Sequence, residues 1–233
     1  MGEISMGTFD KNYFFIVAPD SARLPFMTPD KDTVTNQYDW EVRSIWLKPL
    51  IFYNGAYEFQ KSKRIKPTSP PPDILFNGSN LLVIDRIAYK LAELNIPDLA
   101  IQAAIYKDHR KKWHENYWFL TFTTRFDCWD RKNSTFDPEP IGAEPTSQVV
   151  HTYTLDNLQP LYDVYTYSFN ENLLRETPLK QRRLFKMGGT TEGMVVAHKS
   201  IADLFRVKGV DVIPIAEYGE KYIDYDAEYE DEE

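Results

Sequence analysis

The chain has 233 residues, 42% hydrophobic and 15% aromatic, enough to bury a sizeable core in one large domain or two small ones. No apolar run reaches the roughly 18 residues that a membrane-spanning helix needs. The first residues lack the basic start of a secretory signal, and Ser5 stands one position short of the myristoylation pattern.

Residues 13–18 (YFFIVA) read as a buried strand, and 19–38, rich in Pro, Asp and Thr, as a loop. Residues 40–53 alternate in part (Trp40, Val42, Ile45, Leu47), which predicts a strand or hairpin that Pro49 confines to an edge or an end. Residues 61–72 (KSKRIKPTSPPP) are basic and then proline-rich, an extended connector and the natural internal boundary. The chain therefore has a β-rich region at 1–72, an α+β region at 73–216 and a final segment at 217–233, read together as one compact domain plus a tail. A strand at 81–84 leads into a helix over 86–94, with Ile87, Leu91 and Leu94 on one face and Asn95 and Pro97 as its stop. An apolar run at 99–106 follows, then a strand at 118–126 (WFLTFTTRF) and a polar loop at 127–147. Further strands are expected at 149–155, 164–169, 194–197 and 210–215, with a short helix near 200–206.

Two of these units match each other. LLVI (81–84), a helix ending near Asn95 and PDLAI (97–101) lie over MVVA (194–197), a helix ending near Gly209 and VDVIPI (210–215). The match predicts an α+β fold: a mixed, mostly antiparallel sheet, a few short helices, and one β-α-β element used twice.

Charge is confined to one end. Residues 217–233 hold nine carboxylates and Lys221, which equals the net charge of −8 of the whole chain, so the rest holds 26 acidic and 26 basic residues. Such a segment steers or holds a basic partner by long-range attraction. Within it Tyr218, Tyr222, Tyr225 and Tyr229 are spaced 4, 3 and 4, one stripe on a helix. It reads as a solvated, fraying terminus or as an acidic helix whose tyrosines dock onto the body or a partner. On the second reading the partner-binding residues are Tyr222, Asp224, Tyr225, Asp226, Glu228, Tyr229, Glu230 and Asp231.

The search for chemistry finds little. Cys128 is the only cysteine, which excludes an intrachain disulfide framework and a thiolate metal cluster; with the missing signal it points to a reducing cytoplasm. It reads as a packed small residue. His109 and His114 are five apart in KDHRKKWHENYW, which is not the spacing of a helical zinc site. That stretch reads as a solvated loop leading into a strand, or as an RNA or phosphate patch with Trp113 and Trp118 stacking. The glycines of MGGTTEG (187–193) lack the Lys-Ser/Thr ending of a phosphate loop and read as turn residues. Asp127 and Asp130, with Ser134 beyond, follow a strand. They suit turn capping, or acid–base or metal chemistry with His109, His114 or His151. No catalytic set, metal or cofactor is predicted, and the acidic balance argues against a direct nucleic-acid partner.

The order of pieces resembles a known family. Phe126-Asp-Cys-Trp-Asp-Arg-Lys-Asn-Ser134 follows an aromatic strand, after the strand–helix unit LLVIDRIAYKLAEL. Arg183-Leu-Phe-Lys186, a Met-Val-Val strand, a short helix and Gly209-Val-Asp-Val come later. This is similar to the "immunity protein eleven" family of bacterial polymorphic-toxin systems over about residues 75–216, although Asp85 and Ala197 stand where that family often has Ser. The resemblance implies a small cytoplasmic protein that binds and blocks a cognate toxin, without catalysis or cofactor and away from the membrane. Of the family's motif, Asp127, Asp130 and Ser134 carry over, as structural turn formers.

Overall fold

Alternation of apolar residues along short strands sets the architecture, seen here in a computed structural model that describes residues 7–35, 49–145 and 158–219. The first strands are β1 (Tyr13–Val17), β2 (Met27–Pro29), β3 (Leu50–Asn54), β4 (Ile74–Asn77) and β5 (Asn80–Ile84). Next come β6 (Leu99–Lys107), β7 (Trp113–Phe122), β8 (Arg125–Phe126), β9 (Thr135–Phe136) and β10 (Gly142–Pro145). The last are β11 (Leu158–Leu161), β12 (Val164–Thr166), β13 (Leu184–Met187), β14 (Val195–His198) and β15 (Asp211–Pro214). Among the described residues four short α-helices join them: α1 (Lys31–Thr35), α2 (Tyr57–Ser62), α3 (Asp85–Leu94) and α4 (Glu171–Glu176). The fold is α+β with mostly antiparallel pairing.

Two sheets carry it, with strand orders β2-β3-β6-β7-β5-β4 and β15-β1-β14-β13-β8. A parallel bridge between Phe26 and Phe76 links the two ends of the six-stranded sheet, which curls into a barrel closed at that point by one bridge. Phe52, Leu82, Tyr106, Tyr117 and Phe119 fill the barrel. Its outer face packs on the five-stranded sheet through Phe76, Val83 and Leu120, with Ile87 and Leu91 of α3, against Val195, Ala197 and Phe205. A third cluster, with Phe15, Trp129, Phe169 and Val196, covers the far face of the five-stranded sheet. The two-residue period is visible strand by strand: Leu81 and Val83 of β5 face the shared core and Leu82 the barrel, while Val195 and Ala197 of β14 face the shared core and Val196 the far cluster.

The β-α-β element occurs once in a split form, and a second unit repeats its strand arrangement with a 3₁₀ turn in place of the α-helix. β5 and β6 flank antiparallel β7, joined by α3; β14 and β15 flank antiparallel β1, joined by a 3₁₀ turn at Ala202–Phe205. Each copy is preceded by a hairpin strand, β4 or β13. The α3 helix buries Ile87, Ala88 and Leu91, and Asn95 closes it in the left-handed region (φ 53°), its N–H donated to the Ala92 carbonyl. The second connection has only four helical residues, and they wind as 3₁₀ rather than α.

The structure corrects several sequence-based boundaries. The run 118–126 is two strands in two sheets: β7 ends at Phe122, Thr123 N–H bonds the Asp98 carbonyl, and β8 joins β13. The expected loop at 19–38 holds β2 and α1, and the loop at 127–147 holds β9 and β10. The strand expected at 164–169 pairs with β9 only over Val164–Thr166. The connector at 61–72 begins inside α2, and strands from before it share sheets with strands from after it: β1 lies between β14 and β15, and β3 lies beside β6. Residues 40–48 and 149–155 fall outside the described residues.

Candidate partner-binding surface

The segment that follows β8 is a structural hub. Cys128 and Trp129 turn inward and are at most 1% exposed. Burial, and then the charge of Asp127, push the Cys128 thiol well up, so it stays protonated beside the Met187 sulfur, 3.9 Å away. Trp129 packs edge-on against Phe136 and Tyr162, at ring distances of 4.9 and 5.9 Å, and the Arg131 guanidinium lies 3.8 Å over it. Asp130 accepts the Lys132 N–H (2.8 Å) and the Asn133 amide (2.8 Å), and Ser134 Oγ accepts the Ser168 N–H (3.0 Å). Asp127 departs from the expected role: in place of backbone N–H groups it accepts two bonds from Arg131, at 2.5 and 2.7 Å. Asp10, which nothing in the sequence singled out, ties this region to the N-terminal part of the chain. Its carboxylate accepts the Phe169 N–H (2.8 Å) and the Ser168 hydroxyl (2.9 Å), partners 159 and 158 positions away.

The glycine loop is closed by side chains. A Cβ on Gly193 (φ 52°) would lie 2.2 Å from a guanidinium nitrogen of Arg125, and one on Gly189 (φ 69°) would lie 2.8 Å from an Asp127 oxygen. The loop wraps Arg125, itself about 9% exposed and 3.6 Å from Glu144.

The histidines are dispersed. His198 lies edge-on to Tyr13, and burial, then Arg182, Lys199 and Arg183, push it down to about 4. His114 Nε2 lies 3.0 Å from Asp108, whose other oxygen accepts the Arg110 and Lys112 N–H groups at 2.8 and 3.0 Å. Burial alone would raise the Asp108 carboxyl, but these bonds outweigh it and hold the group below its ordinary value. The effect is a rigid hairpin tip between β6 and β7. Among the described residues no three or more His, Cys, Asp and Glu side chains converge as metal ligands, so Asp127 and Asp130 do not meet His109 or His114; His151 lies outside those residues.

The acidic segment starts from a fixed point. A 3₁₀ turn at Ile215–Glu217 delivers Tyr218, 7% exposed, against Phe15 (4.9 Å) and Tyr167 (5.7 Å). Its hydroxyl donates to Glu192 Oε2 at 2.9 Å. Gly219 is buried too, and a Cβ there would lie 2.8 Å from the Tyr165 carbonyl. Tyr218 and Gly219 therefore belong to the body, beyond position 216. Tyr222, Asp224, Tyr225, Asp226, Glu228, Tyr229, Glu230 and Asp231 lie outside the described residues.

Glu192 yields a pH prediction. Burial raises its pKa, the Tyr218 hydrogen bond opposes that, and Asp163 adds to it. A carboxyl raised in the folded state contributes stability that is full below its unfolded pKa and is lost as pH rises through the folded one. Glu192 is an exposed residue whose carboxyl is partly desolvated where it meets Tyr218, so Glu192→Gln keeps an acceptor for Tyr218 and removes a partly desolvated charge. It should raise Tm at pH 7–8, and the variant and parent curves should converge as pH falls into the ordinary carboxylate range. A difference that stays constant down to acid pH would refute the assignment.

No protein-family model matches the chain, and no curated protein matches it. No helix among the described residues is long and apolar enough to cross a membrane.

Proposed function

We propose that this protein is a cytoplasmic, non-enzymatic binding protein of the immunity type, which neutralises a cognate toxin by holding a basic surface of it. The observation that carries the reading is the anchor. Tyr218 and Gly219 are buried in the body, and the fourteen residues beyond them hold eight carboxylates and one lysine. A dense negative charge thus departs from a fixed point, which suits capture of a cationic partner.

Two further observations support it. The residues that invited a catalytic reading are engaged in structural bonds: Asp127 with Arg131, Asp130 with its own turn, Ser134 with Ser168, and Cys128 within the core. Several of the pieces behind the resemblance to the "immunity protein eleven" family are also neighbours: the Asp127–Ser134 hub, β13, β14 and β15 belong to the five-stranded sheet or the cluster beneath it, while the LLVIDRIAYKLAEL unit and β7 belong to the barrel.

Co-expression tests the proposal. A toxin domain encoded by the neighbouring reading frame should arrest growth alone, and this chain should restore growth and co-purify with that domain. Undiminished toxicity at matched expression, with no complex recovered, overturns the reading.

A further inference from the structure

We propose that the cleft beside the β6–β7 hairpin binds a nucleotide unit of single-stranded nucleic acid, its base on an exposed aromatic face and its phosphate on lysine. This goes beyond the toxin-binding reading and does not depend on it.

The strand register builds the site. Tyr53 pairs with Lys107 and Lys107 with Trp113, so the three form one row across β3, β6 and β7. Neighbours along such a row stand about 4.8 Å apart. The barrel interior takes Phe52 and Tyr106, so the alternation turns Tyr53 and Lys107 outward. Tyr53 is 43% exposed and Trp113 48%, high for such rings. Lys107 Nζ sits 4.8 Å from the centroid of the Trp113 ring. The ammonium lies over one face of that ring, so a base stacked on the opposite face of Trp113, or on Tyr53, would bring its own phosphate toward the ammonium. The row borders a cleft of about 480 Å³, where Tyr57 and His109 add a second ring pair, 5.7 Å apart, and Lys111 a second cation. Arg110 and Lys112 extend the basic tip, which Asp108 pins in place.

Flat, half-exposed rings flanking a cation read unstacked bases, which duplexes do not offer. An acidic peptide would need the cations and not the rings. The overall acidic balance is no obstacle at this face, because the excess charge lies in 217–233. Two of the three cleft carboxylates have structural partners: Asp108 in the tip, and Asp30 on the Thr33 N–H at 2.8 Å. Glu58 is the third, and it opposes a phosphate.

Fluorescence anisotropy of the full chain with labelled oligo(U) and oligo(dT) 15-mers at 50 mM NaCl tests the site. Trp113→Ala and Tyr53→Ala should each weaken binding roughly five- to hundredfold, the worth of one base–aromatic stack. Their Tm should hold, since both rings are exposed. Lys107→Gln should lessen the salt slope by about 0.7, and Glu58→Gln should tighten binding. Free UMP should compete far more weakly than unlabelled oligo(U); equal competition per nucleotide would assign a mononucleotide pocket and overturn the strand reading. The proposal also falls if neither oligomer binds, if the ring variants bind like the parent, or if polyglutamate displaces the probe as well as oligo(U) does.

Discussion

Trp129→Ala should destabilise the protein by about 3–5 kcal/mol, the usual cost of removing a large buried ring. Trp129 is 1% exposed and touches three things at once: the Phe136 and Tyr162 rings, the Arg131 guanidinium that engages Asp127, and the backbone bridge to Phe169. Total stabilities of roughly 5–15 kcal/mol make that loss a large share of the whole. Urea unfolding of parent and variant, monitored by far-UV circular dichroism, measures it. Asp130→Ala removes only its own turn bonds and should cost about 1 kcal/mol. A Trp129→Ala effect below that of Asp130→Ala would show that the segment is not a hub. The contrast also separates structure from recognition, because a contact surface built on Asp130 would lose binding while keeping stability.

The second large effect concerns association. Removing residues 220–233 should slow capture of the toxin domain roughly ten- to hundredfold at low ionic strength. The deficit should shrink as salt shortens the Debye length from about 10 Å at 0.1 M toward about 3 Å at 1 M. The cut belongs after Gly219. A cut at 217 would remove the buried Tyr218 ring and its bond to Glu192, and so confuse unfolding with lost attraction. Stopped-flow association across a salt series decides the matter. Equal rates for both forms at every salt concentration would leave the acidic segment a passenger and move the interface to the body.

Local pattern made much of this fold readable. The YFFIV strand, the helix with Ile87 and Leu91 on one face and its Asn95 stop, and the β-α-β unit all rest on contacts close in sequence or on the period of apolar residues. What stayed hidden depends on distant partners. Nothing near Phe26 announces that it will bridge Phe76 and close a barrel, or that β1 will slot between β14 and β15. The 118–126 run reads as one strand because apolar content carries no sign of a change of sheet; the Thr123 bond to Asp98 makes the break. Trp113 escaped as a strand residue because its neighbours are polar, which is also why its ring stays half in water. The candidate motif residues were visible by type, but the choice of Arg131 by Asp127 was not. The Asp10 contribution was legible nowhere, since its partners arrive 158 and 159 positions later.

The placement of β1 has a consequence for the growing polypeptide. All six barrel strands lie between Met27 and Phe122, so that unit is complete in sequence once the chain has been made that far. The five-stranded sheet is not. Tyr13–Val17 is synthesised well before its two partners, Val195–His198 and Asp211–Pro214. Until those partners emerge a sticky aromatic strand has no sheet to join, a period in which strand-to-strand misassociation competes with folding. The finished barrel offers it one refuge in the meantime, the outer face on which Ile16 eventually settles beside Leu120.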